Sequence, residues 1–290
     1  MWSSTSSDRD FCKRFRRLTE AHCYDILGSL FEIRAPRAVG NYLRRLLAGF
    51  TTDSPGKVDS WVTFSVEQAE PGGFSLRGSE GVLLNSLPVL EVVNGLVVEL
   101  NRLAIAGLDA LAVHAGVVGI GPEVIAFPAL SGAGKSTLTA ACLRSGFDYW
   151  SDEALILSPD GMVMPYPRPM ALSERSRRLL DLKSPGDGVL ERLVTPADLG
   201  AKGASGSGAL RHLVSLTRRA GPPELSSLPR RLAVGAVLEH SFNHYRQPEE
   251  SFRRAVLAAE ECAFWELAYD DPLEAGAFLR DRFFPTSSRV

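Results

Sequence analysis

Residues 111–161 read LAVHAGVVGIGPEVIAFPALSGAGKSTLTAACLRSGFDYWSDEALILSPDG. Short apolar runs bounded by turn residues, and one run at helical spacing, predict strand, turn, strand, glycine-rich loop, helix, strand, acidic pair, strand. Ser131-Gly132-Ala133-Gly134-Lys135-Ser136-Thr137 follows the apolar strand VIAF and opens the helical run STLTAACL. A loop in that context suits phosphate: its glycines let the backbone curl so that successive N–H groups face one anion, and the helix N-terminus adds a favourable dipole. Lys135 would bring a full charge to the β- and γ-phosphates and Ser136 a hydroxyl to Mg2+, so residues 131–137 are the expected ATP and Mg2+ site. The motif usually begins with one more glycine; Ala129 holds that place here.

A nucleotide site also needs acids. A helix of about eleven residues from Lys135 to Ser145 carries the chain roughly 16 Å from the phosphates at 1.5 Å per residue. Phe147 to Ser151, extended at about 3.3 Å per residue, bring it back by a similar distance. Asp152 and Glu153 are therefore expected at the phosphate end, as base or metal ligands. The Gly119-Ile120-Gly121-Pro122 turn folds LAVHAGVV antiparallel onto VIAF and sets His114 roughly opposite Phe127, beside the loop entrance. Arg168, held between Pro167 and Pro169, is suited to a transferring phosphoryl group. Arg211 and His212, after a Gly/Ser-rich stretch, are candidates for a clamp that closes with it.

Outward from this stretch, LPVLEVVNGLVVELNRLAIAG predicts a buried helix ending at Gly107, taken as the start of a main domain over residues 89–290. Residues 1–88 are expected to form an N-terminal α+β region. Residues 11–50 alternate basic and apolar positions at helical spacing, FCKRFRRL and NYLRRLLAGF each able to present one apolar face, and WVTFSV, GFSLR and GVLL form a small β meander punctuated by Pro71-Gly72-Gly73. Downstream, VTPADLGAKGASGSGAL is expected to be a mobile loop, LAVGAVLEH a buried strand, and residues 248–284 helical.

The 290 residues are 45% hydrophobic and 23% charged, the make-up of an ordinary globular chain rather than a disordered or membrane-spanning one. With 32 basic against 34 acidic residues, nothing at whole-chain level marks a polyanion-binding surface, so neither nucleic acid nor membrane is expected as a partner. Cys12, Cys23, Cys142 and Cys262 lack metal or disulfide spacing, which fits a reducing cytoplasm. The start of the chain has no apolar segment of the secretory kind, so an uncleaved terminus is expected. The oligomeric state stays open, a homo-oligomer included.

His114-Ala115, the loop 131–136 and Ser151-Asp152-Glu153, in this order and spacing, resemble the core of the HPr kinase/phosphorylase family over roughly residues 109–160. That resemblance implies a phosphoenolpyruvate-carboxykinase-like P-loop kinase fold, a mixed sheet with flanking helices, and ATP-dependent phosphorylation of a serine hydroxyl on a protein or peptide. It gives Lys135 and Ser136 the phosphate and Mg2+ roles. It also makes Asp152 the base, Glu153 its metal-side neighbour, and His114 the group that orients the acid. The family often has two aspartates, so Glu153 departs from its pattern. The further loop of members acting on HPr is absent from residues 170–225. The chain therefore looks more like divergent members found beside peptide natural-product genes, lasso peptide clusters among them, whose acceptor is the precursor's C-terminal serine. Two other readings remain: a kinase of small-molecule hydroxyls, and a regulatory module that binds ATP without transferring phosphate.

Overall fold

A computed structural model of the chain describes residues 19–52, 61–70, 72–182 and 191–285, in two compact units divided between Gly107 and Leu108. Among the described residues the first unit opens with a hairpin, β1 (Thr19–Ile26) and β2 (Ser29–Pro36), joined at Leu27-Gly28, both of positive φ. Helix was expected here. Tyr24 and Ile26, then Phe31, Ile33 and Ala35, are buried at alternate positions, and that period of two decides for strands. FCKRFRRL lies outside the described residues. Helix α1 (Arg37–Leu46) does follow, and carries the chain to β3 (Val62–Gln68), which pairs parallel to β2.

The meander continues as expected with β4 (Phe74–Gly78) and β5 (Gly81–Leu87), giving the sheet order β1-β2-β3-β4-β5. Helix α2 (Val89–Gly107) buries Val92, Leu96 and Leu100 and packs on β2, β4 and β5. The helix therefore belongs to the first unit, and the division falls after Gly107 rather than at residue 88.

The second unit opens with β6 (Leu111–Ile120), β7 (Glu123–Pro128), α3 (Lys135–Arg144), β8 (Asp148–Ser151) and β9 (Ala154–Leu157), in the expected order. There follow β10 (Val163–Met164), β11 (Met170–Ser173), α4 (Glu174–Leu179) and β12 (Glu191–Val194). The chain then forms β13 (Ala209–Arg218), β14 (Glu224–Leu228), α5 (Arg231–Glu239), α6 (Pro248–Glu261), β15 (Ala263–Tyr269) and α7 (Pro272–Phe283). The main sheet runs β10-β9-β6-β7-β13-β15-β14, with β8 also on β6, so the unit is α/β with a mixed sheet and flanking helices. One sheet face buries Ile125, Phe127, Val214 and Leu267 with Leu138 and Cys142 of α3 and Leu279 of α7. The other buries Val124, Ala126, Leu213 and Phe264 with Val237 of α5 and Ala255 of α6. Among the described residues no helix is long and apolar enough to cross a membrane.

Three expectations change. LAVGAVLEH is helix α5, whose buried Ala233 and Val237 are four residues apart. Residues 248–284 are interrupted by β15, a strand flanked by β13 and β14, before Asp271 caps α7 through the N–H groups of Leu273 and Glu274. Residues 194–210 are pinned by specific contacts: Thr195 and Asp198 form a capping box, and the amides of Tyr149 and Ala204 bond the carbonyls of Lys202 and Tyr149 at 2.8 and 2.7 Å. Gly208 lies against Trp150 and the Pro122 carbonyl so closely that a Cβ would sit 2.5 and 2.8 Å from them. The glycine there serves close approach rather than mobility.

Candidate active site

Strands β7, β13 and β15 are mutually parallel, and β8 shares their direction because both it and β7 run antiparallel to β6. Their carboxyl ends therefore share one edge of the sheet, the place where open α/β sheets form crevices. The glycine-rich loop leaves β7 at this edge, with Gly132 and Gly134 at φ 82° and 95°, conformations that side chains disfavour. Ala129 is not among the positive-φ residues, so alanine is accommodated where the motif usually has glycine.

Strand β6 is longer than its partner. Residues 115–120 pair with β7, while 111–114 run on beyond its end. There the chain after α5 takes the place of β7: the His114 amide bonds the His240 carbonyl at 2.7 Å, and the Phe242 amide bonds the Ala112 carbonyl at 2.8 Å. The side chain of Asn243 fastens this segment through the Ala112 amide and the Ala110 carbonyl. On the other side of β6, β8 gives way to β9 across a break that carries Asp152 and Glu153, where the Ser151 hydroxyl accepts the amides of Glu153 and Ala154. His114 thus pairs with Ala154, and Gly116 rather than His114 faces Phe127. The two-residue difference arises because the hairpin closes at Ile120 and Glu123, which leaves Gly121-Pro122 as the turn and moves its centre one residue along the chain.

Lys135 is buried, and its ammonium donates to the carbonyls of Ala129 and Leu130 at 2.8 and 2.9 Å. Burial lowers its pKa, and the charges of Glu153 and Asp152 act in the opposite sense. Asp152 is only 5% exposed, and burial pushes its carboxyl from 3.8 up to about 6 against the pull of Arg168 and of hydrogen bonds from the Ser136 and Tyr149 hydroxyls. The Tyr149 hydroxyl lies 3.2 Å from Asp152 Oδ1 and 2.7 Å from the Arg168 carbonyl. Buried Arg168 donates from Nη1 to Glu153 Oε2 at 2.6 Å, so its charge is committed to that carboxylate.

Burial, then Lys135, lowers the pKa of His114, and its ring lies 5.2 Å from that of Phe242. Among the described residues its imidazole makes no hydrogen bond to either carboxylate; Tyr149 and Ser136 are the groups that hold Asp152. The Thr137 hydroxyl is 2.7 Å from that of Ser176, which ties the first turn of α3 to α4.

Arg211 and His212 do not join the site. They sit at the opposite end of β13, with His212 six residues before the strand's last residue, or about 20 Å at 3.3 Å per residue. His212 accepts from Trp265 Nε1 at 3.2 Å and stacks 3.8 Å from Phe283, and burial lowers its pKa to about 4. Four neighbours of the site had no sequence signal: Tyr149, His240, Arg218 and Tyr269. Recognising β13 and β15 as parallel to β7 would have brought the last two to the loop edge.

Among the described residues no three His, Cys, Asp or Glu side chains cluster into a metal cage. The Ser136 hydroxyl and the two carboxylates are hard oxygen donors, a set that suits Mg2+ when phosphates and water complete its shell. No protein-family model matches the chain, and no curated protein is found similar to it.

Proposed function

We propose that the protein is a P-loop kinase of the HPr-kinase-like type, transferring the γ-phosphoryl group of ATP to a serine hydroxyl of a protein or peptide. The observation that carries this reading is the buried Asp152, its carboxyl pushed up to about 6 and bonded by the Tyr149 hydroxyl, beside Ser136 at the start of the helix that follows the glycine-rich loop. A base poised near neutral pH is what abstraction of a hydroxyl proton requires.

In this reading the loop amides and Lys135 hold the β- and γ-phosphates, and Ser136 with Glu153 would hold Mg2+, which supplies neutralising charge when bound. The acceptor oxygen attacks the γ-phosphorus as its proton passes to Asp152. The bond from that phosphorus to the bridging oxygen breaks, and ADP leaves with the electron pair. Arg168 keeps Glu153 in place beside the base. His114, neutral beside Lys135, lines the acceptor side with Phe242.

The test is mass spectrometry of serine-bearing peptides, including ones ending in serine, incubated with the protein, ATP and Mg2+. A gain of one phosphate on serine supports the reading. Phosphorylation of small hydroxyl compounds alone would replace it by a small-molecule kinase, and ATP binding without any transfer by a regulatory module.

A further inference from the structure

Arg218 is the last residue of β13 and stands in register with Tyr269, the last residue of β15. Both strands are delivered, parallel to β7, to the edge from which the glycine-rich loop departs. The guanidinium lies 4.4 Å over the Tyr269 ring, and its Nη1 donates to the Asp270 carbonyl at 2.5 Å. Stacked on one side and anchored at one nitrogen, the fork has little freedom left to lose on binding. Its other nitrogen points at the loop: Nη2 is 2.9 Å from where a Cβ of Gly134 would stand.

Two further observations mark this point as a place for a ligand. The Tyr269 hydroxyl, on a fully buried residue, is 3.4 Å from the same Gly134 position and has no hydrogen-bond partner. The other arginine of the site, Arg168, is engaged with Glu153, whereas Arg218 pairs with no carboxylate among the described residues. Its neighbour Arg219 does pair, with Glu224, so the free charge belongs to the residue facing the loop.

We propose that Arg218 binds the polyphosphate of the nucleotide held on the 131–136 loop, through charge-assisted hydrogen bonds from its free guanidinium edge. The inference rests on the reading of that loop as a nucleotide site. It also gives Gly134 a second reason to be glycine besides its positive φ: any side chain would occupy the space between loop and guanidinium.

The test is titration of the full-length protein with a fluorescent ATP analogue, with inorganic pyrophosphate as competitor. Arg218→Gln should weaken both ligands by about 10–100-fold, the range for losing hydrogen bonds to a charged group. Arg218→Lys, which keeps the charge and loses the fork, should fall between. Affinity of Arg218→Gln within twofold of wild type overturns the assignment while leaving the nucleotide reading intact. Loss of ATP affinity with pyrophosphate unchanged also overturns it, because the contact would then be to the nucleoside. Failure of the wild type to bind either ligand would remove the loop reading and this inference together. If the Gln variant does not fold, Arg218→Lys decides: weakening of threefold or more for both ligands supports the contact, and unchanged affinity rejects it.

Discussion

At the scale of single residues, the acid that equips the site is also a burden on the fold. Asp152 titrates near 6 in the folded protein and near 3.8 when exposed, so the native state holds the proton more tightly. Its contribution is intact below about pH 4 and is lost as pH rises through 6, a swing of roughly 3 kcal/mol from a shift of about two units. Asp152→Asn, which keeps the shape without the charge, should therefore raise the melting temperature by several degrees at pH 8 and leave it nearly unchanged at pH 4. The same change should cost about 10²–10⁴-fold in turnover if Asp152 is the base. Wild-type kcat/KM should rise with pH through about 6 as the carboxyl loses its proton. A variant destabilised equally at both pH values would assign Asp152 a packing role instead. Lys135→Ala should abolish binding of a fluorescent ATP analogue while sparing the fold, since it removes a charge at the loop rather than a side chain of either core face.

Elements were legible where one local signal decided them. The run from β6 to β9 follows from apolar strands, a turn and a glycine-rich loop, and from it the arrival of Asp152 beside the loop. Legibility failed where tertiary context decides. Ala263–Tyr269 is apolar enough for helix or strand, and only the flanking β13 and β14 choose strand. Arg218 carries no local signal, because the parallel pairing that brings it to the loop lies dozens of residues away. His114 was placed near the site for a sound reason, the hairpin, and displaced by two residues because the four turn residues 119–122 did not reveal that the hairpin closes at Ile120 and Glu123. The packing of α7 on α3 offers a test at this scale. A Cβ on Gly276 would stand 2.9 Å from the backbone carbon and oxygen of Ala141, atoms that cannot rotate aside. Gly276→Ala should therefore lower the denaturation midpoint by the equivalent of about 1–3 kcal/mol. Intrinsic helix preference alone would move it the other way by about 1 kcal/mol, so the sign of the shift separates the two effects.

At the scale of the molecule, the chain divides into units that each bury their own core. Phe31, Ile33, Phe64 and Leu96 belong to the first, and the two faces of the mixed sheet to the second. Composition is blind to this division, and helix α2, similar in pattern to a core helix of either unit, was assigned across it. Every residue of the proposed site, from His114 to Arg218 and Tyr269, lies after Leu108. A fragment covering residues 108–290 should then fold in one cooperative transition and bind the fluorescent ATP analogue within a few-fold of the full chain. At a nucleotide concentration 100 times its Kd, binding should stabilise that fragment by about 2.7 kcal/mol, visible as a rise in melting temperature. Arg218→Gln in the same fragment should need 10–100 times more nucleotide for the same rise. A fragment that melts cooperatively yet gains nothing from nucleotide would show that the glycine-rich loop serves the fold alone, whereas one that never folds would show that the division after Gly107 does not mark an autonomous unit.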